Sequence, residues 1–131
     1  LSESMSAAVW RVRVSIITAV RLVLTKMDPS VEAVLPTVLN NATQILDIGH
    51  KDSKYHQVRG EVARVLLSIA RIAETDDGVK IMMLPQQENF RKFARALATD
   101  TDPDTSQRAI TFGRSTFFLF HKVLKSNPSC C

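Results

Sequence analysis

An all-α fold is what this sequence predicts, on three observations. Apolar residues recur at spacings of three and four over long stretches, as at Val58, Val62, Val65, Leu66, Ile69, Ile72 and Ala73, while the alternation that marks strands is scarce. Prolines and helix-capping residues, in MDPS, LPQQ and TDTDPDTSQ, punctuate those stretches. A chain of 131 residues with 45% hydrophobic content has enough apolar mass to bury one core without a disulfide or a metal. A single helical domain is therefore expected over 1–126, followed by a C-terminal tail at 127–131.

The first helix is expected from Ser4 or Ser6 to Lys26 and ends before MDPS, where Pro29 lacks an N–H and biases Asp28 out of helical geometry. Its stretch AAVWRVRVSIITAVRLVL is the most apolar in the chain. Arg11, Arg13 and Arg21 interrupt it, and each would cost about 2.5–3.5 kcal/mol at the centre of a bilayer, so it reads as a buried helix and not a membrane span. Ser30 caps the second helix, VEAVLPTVLNNATQILDIG, with a kink or late start at Pro36 and a stop at Gly49. A third covers about 53–74. A short helix is expected over 78–83, ended by LPQQ, and another over 88–98. Asp102 or Asp104 caps the last, over 105–125. Gly60 and Gly113 fall inside helices, each at a cost of up to about 1 kcal/mol relative to Ala, for which close helix packing is the expected reason and functional flexibility the alternative.

Internal repetition ties these helices together. Placing VRVSIITAVRLVL on VRGEVARVLLSIA matches Val12 to Val58 at an offset of 46, and Gln57 to Gln107 follows at an offset of 50. Both lie near the roughly 40–47 residues of repeats built from two or three helices. The order in VRGEVARVLLSIARIAETDDGVKIMMLPQQENFRKFARALATDTDPDTSQRA, a long helix, a polar turn, a short helix and a further helix, resembles the armadillo/HEAT pattern over about two and a half units. That resemblance implies a right-handed stack of helical hairpins acting as an interaction module. A closed up-and-down helix bundle is the alternative. Many armadillo repeats carry an asparagine in the last turns of the long helix to clamp a peptide backbone. Here Leu22, Ser68 and Phe118 stand at that place, so the clamp is not carried over.

Stacked in register, the long helices would align their polar stripes in rows: Arg11, Gln57 and Gln107; Ser15, Glu61 and Thr111; Thr18, Arg64 and Arg114; Leu22, Ser68 and Phe118; Thr25, Arg71 and His121. The candidate partner-binding residues are those of the second and third long helices, Gln57, Glu61, Arg64, Ser68, Arg71, Gln107, Thr111, Arg114, Phe118 and His121. Guanidinium groups there favour carboxylates or phosphates through paired hydrogen bonds, and Phe118 adds apolar area. The expected partner is another protein offering an acidic or amphipathic segment. An ordinary solvated face accounts for the same stripe, with Glu61 and Arg64 as a helical pair. A self-associating structural bundle and a nucleic-acid-binding repeat are the rival functions. An uncapped end of the stack would also expose an apolar side open to self-association.

Other chemistries find little support. A net charge of +4, from 17 Lys and Arg against 13 Asp and Glu, licenses weak attraction to acidic partners but not nucleic-acid binding by itself. His50, His56 and His121 lack metal-ligand spacing, and the four glycines form no phosphate loop. Acidic pairs at Asp76–Asp77 and Asp102–Asp104 sit in turns where capping explains them. Neither an enzyme nor a cofactor is expected. The adjacent Cys130 and Cys131 cannot staple the fold, and a cytoplasmic compartment, with the nucleus as alternative, is anticipated. A chain opening on Leu1 is expected to be a processed or excised product.

Overall fold

The computed structural model describes residues 9–26, 35–75 and 84–126, without the side chains of 35, 75 and 116–126. These residues form five α-helices: α1 (Trp10–Lys26), α2 (Leu35–His50), α3 (His56–Thr75), α4 (Gln87–Ala98), led in by a 3₁₀ turn at Leu84–Gln86, and α5 (Pro103–Ser126). No strand occurs among the described residues, so the all-α expectation holds. The short helix anticipated over 78–83 lies outside them, as do Asp76, Asp77 and the tail. None of the described helices is long and apolar enough to cross a membrane.

Local chemistry sets the helix ends. Pro36 sits in the first turn of α2, where its missing N–H has no carbonyl to satisfy. Gly49 does not stop α2, contrary to expectation. The helix continues to His50, and no described glycine has a positive φ. The chain turns through Asp52 instead: its N–H donates to the Gly49 carbonyl at 3.2 Å, and its Oδ1 accepts the N–H groups of Lys54 and Tyr55 at 3.1 and 2.9 Å, which launches α3. At α5 the choice of cap falls to Asp102, whose Oδ2 accepts the Thr105 N–H at 3.1 Å and its hydroxyl at 2.7 Å. Pro103 follows at the first helical position, and Asp104 lies in the first turn, where a negative charge suits the helix dipole.

Helix α3 lies between α1 and α5, while α2 and α4 pack together against this row, α2 over α1 and α3, α4 over α3 and α5. Trp10 stacks on Tyr55 with ring centroids 5.5 Å apart, Arg13 donates to Asp52 at 2.7 Å, and Thr18 further along α1 donates to Glu61 further along α3. The two helices therefore run in the same direction. Likewise Arg59 bonds Asp100 just before α5, and an added Cβ on Gly60 would lie 3.1 Å from Thr105 Oγ1 in its first turn. Thus α3 and α5 are parallel too. A closed up-and-down bundle would make such neighbours antiparallel, and the described helices do not have that arrangement.

One contiguous core runs through all five helices. Val58, Val62, Val65 and Leu66 of α3 are fully buried, with Ile17 from α1, Leu46 from α2, Phe90 and Phe93 from α4 and Phe112 from α5 around them. Each such side chain contributes about 1.5–3 kcal/mol of transfer free energy, which is why the broad apolar face of α3 takes the central place. Close packing explains Gly60 but not Gly113, whose added Cβ would meet nothing within 4 Å.

Candidate functional site

At about 100° per residue, Gln57, Glu61, Arg64, Ser68 and Arg71 share one narrow sector of α3. That sector faces away from α2 and α4, with Glu61 on its α1 side and Gly60 bordering its α5 side. Beside it a groove of about 280 Å³ opens between α3 and the start of α5. Gln57, Glu61 and Arg64 form one wall, Asp104 and Arg108 the other, and His56 and Asp102 an end.

The members of the stripe differ in availability. Gln57 and Arg71 are exposed, and the Arg64 side chain is 51% exposed. Ser68 is half-buried and returns its hydroxyl to the Arg64 carbonyl at 3.1 Å. Glu61 departs from expectation: it is buried, and its Oε1 accepts from Thr18 Oγ1 and Arg21 Nε, each at 3.0 Å, while Oε2 lies 3.6 Å from Arg64 Nη1. It is a structural tie to α1 and not a free contact. This pairing also corrects the row that set Ser15 against Glu61. Thr18 takes that place, about one turn along, and Ser15 is exposed with its hydroxyl bonded to the Arg11 carbonyl.

On α5, Gln107, Thr111 and Arg114 are exposed, with Thr111 Oγ1 donating to the Gln107 carbonyl at 2.9 Å. None of the three lines the groove, whose α5 wall is one helical step away at Asp104 and Arg108. Phe118 and His121 lie in α5, but their side chains are outside the described ones.

A part-buried ion pair fixes the α3–α5 wall. Arg59 Nε donates to Asp100 Oδ2 at 2.5 Å, with side chains 15% and 6% exposed. The hydrogen bond it donates to Asp100 holds the Arg59 guanidinium above its ordinary value. Burial pushes the Asp100 carboxyl up, but the bonds from Arg59 and from the Asp102 N–H outweigh it and keep it below the usual carboxylate range. Asp102 is also held low, by the Thr105 hydroxyl and N–H that it caps.

Comparison with protein-family models, with curated proteins and with solved structures finds no match. The site is thus described by its own residues. Three of them, His56, Asp104 and Arg108, escaped the sequence reading as wall residues. Arg108 is four residues after Asp104 and three before Thr111, so its place beside the stripe was recoverable from helical spacing once the α5 start was fixed at Asp102. Arg21, which holds Glu61, was read only as a charge interrupting an apolar run.

Among the described residues, no three His, Cys, Asp or Glu side chains gather closely enough to hold a metal ion. A second concavity of different character, about 200 Å³, lies on the outer side of α1 and α2, where Ala19, Val20, Val23, Val38 and Ile45 give an almost wholly apolar lining.

Proposed function

We propose that this chain is a protein-interaction module of the armadillo/HEAT type, a right-handed stack of helical hairpins. In this role it holds an acidic or amphipathic segment of a partner along the row of its long helices. The observation that carries the reading is the parallel placement of α1, α3 and α5 in one row, with Arg64 of α3 and Arg108 of α5 lining one groove and Arg71 and Arg114 exposed on their own helices. A rigid helix row of this kind offers an extended surface without any moving part. Arg64 is half-exposed, and its only ion pair among the described residues is a loose 3.6 Å contact with Glu61, so its guanidinium is free to turn toward a carboxylate. Asp104 at the far wall gives the groove a polarity that a segment of mixed charge would match in one direction.

An affinity capture comparing the intact chain with the Arg64→Glu, Arg71→Glu double variant tests this. Both residues are exposed and the variant should fold normally by circular dichroism. Loss of the captured partners is expected. An unchanged set of partners overturns the groove.

A second reading, self-association, is favoured by a separate observation. Helix α1 presents Val12, Leu22 and Val23 to solvent at 45, 43 and 53% exposure, beside the apolar concavity it shares with α2.

A further inference from the structure

The turn between α2 and α3 builds a concavity of about 480 Å³, and no part of its lining belongs to the groove. Arg13 reaches it from α1, Lys51, Ser53 and Lys54 from the turn, and Tyr55 closes one side. Its one lining acid, Asp52, is already committed. That carboxylate accepts Arg13 Nη1 at 2.7 Å and the N–H groups of Lys54 and Tyr55, and its side chain is only 4% exposed.

The cations are less satisfied. Lys51 is 60% exposed and shares only a 3.3 Å surface contact with Asp47, a kind of pair that contributes little. Lys54 is exposed and lies 5.3 Å from the Tyr55 ring centroid, with no carboxylate partner among the described residues. Arg13 uses Nη1 on Asp52, while its Nε is buried with no hydrogen-bond partner.

With Arg13 and Asp52 paired to each other, Lys51 and Lys54 are left as two weakly engaged cations beside this space. The aromatic pair alongside narrows the choice of ligand. Trp10 and Tyr55 cover each other, and Arg11 lies 5.2 Å from the Trp10 ring as Lys54 does from Tyr55. The rings are thus engaged with each other and with cations, which leaves little for a nucleobase to stack on.

We infer that this pocket binds a phosphate monoester, with Lys51 and Lys54 neutralising its charge and the Ser53 hydroxyl donating to an oxygen. A monoester carries close to two negative charges at neutral pH, which matches two such cations better than a lone carboxylate does. The group can arrive on a partner's phosphorylated side chain or as free phosphate. The inference does not depend on the groove, and its failure would leave that reading untouched.

The test follows backbone amide shifts of the ¹⁵N-labelled chain during titration with inorganic phosphate, with a short phosphoserine peptide and with its unphosphorylated form. Sodium chloride at matched ionic strength and a single-stranded oligonucleotide serve as controls. Saturable shifts centred on Lys51, Ser53, Lys54 and Tyr55 are expected from phosphate and the phosphopeptide, and tighter binding of the peptide would assign the group to a side chain. Binding should weaken by about tenfold in Lys51→Gln, Lys54→Gln, which removes two exposed charges and leaves the fold intact. Equal shifts with chloride, preference for the oligonucleotide, or undiminished binding by the double variant would each overturn the site.

Discussion

His50 illustrates how one side chain can report on the whole core. It is 8% exposed at the end of α2, with Nδ1 3.2 Å from the Leu46 carbonyl and its ring centroid 4.5 Å from that of Phe93. Burial lowers its pKa below the ordinary histidine value, against the opposing pull of the Leu46 and Asp47 carbonyls and the Asp47 carboxylate, with Lys51 adding to the lowering. The sign follows from linkage. Below an unfolded value of about 6.5, the unfolded chain takes up a proton that the folded chain resists, so stability falls as pH drops from about 7 and levels off once His50 is also protonated in the fold. His50→Gln keeps a donor for Leu46 but cannot titrate. Urea unfolding at pH 7.5 and 5.5 should show a decline for the parent that is smaller in the variant, and equal declines would place the proton uptake elsewhere.

At the level of elements, the two interior glycines make a controlled pair. Both sit in helices, where Ala is favoured by about 1 kcal/mol, yet their surroundings differ. An added methyl at Gly113 meets nothing within 4 Å, whereas at Gly60 it meets Thr105 Oγ1 at 3.1 Å. That hydroxyl is held by its 2.7 Å bond to the Asp102 cap and cannot retreat without weakening the start of α5. Gly113→Ala should raise stability by about 0.5–1 kcal/mol, and Gly60→Ala should gain less or lose, read as shifts in the urea midpoint at constant slope. An equal gain at both would mean that α3 and α5 do not approach as closely as described. The pair also marks what spacing can and cannot disclose. Periodicity located the helices and the apolar face of α3, because burial imposes that pattern on each helix separately. It could not rank Asp102 above Asp104 as the cap, nor separate Glu61 from Arg64. Those outcomes depend on which atoms of a neighbouring helix stand opposite, and two residues on one stripe look alike until the register with α1 is known.

For the molecule as a whole, the row of α1, α3 and α5 has α1 and α5 at its two sides among the described residues. A middle helix such as α3 has neighbours on both sides and buries Val58, Val62, Val65 and Leu66 completely. Helix α1 has α3 on one side only, yet it carries apolar residues on the other as well. Its face toward the core buries Ile17 and Leu24, while Val12, Leu22 and Val23 remain exposed next to the concavity of Ala19, Val38 and Ile45. Exposed apolar residues of this kind are the feature on which the self-association reading rests. Charge does little to oppose association, because a net +4 spread over 131 residues is modest and is screened within about 8 Å at physiological salt. Sedimentation velocity over a hundredfold range of concentration should therefore show the parent chain shifting toward a dimer. Val12→Lys, Val23→Lys should stay monomeric and equally stable, since neither side chain is buried in the core and the added cations disfavour an apolar contact. A parent that remains monomeric throughout would remove the self-association reading while leaving the arginine-bearing row of α3 and α5 intact, because Arg64 and Arg71 take no part in the α1–α2 face.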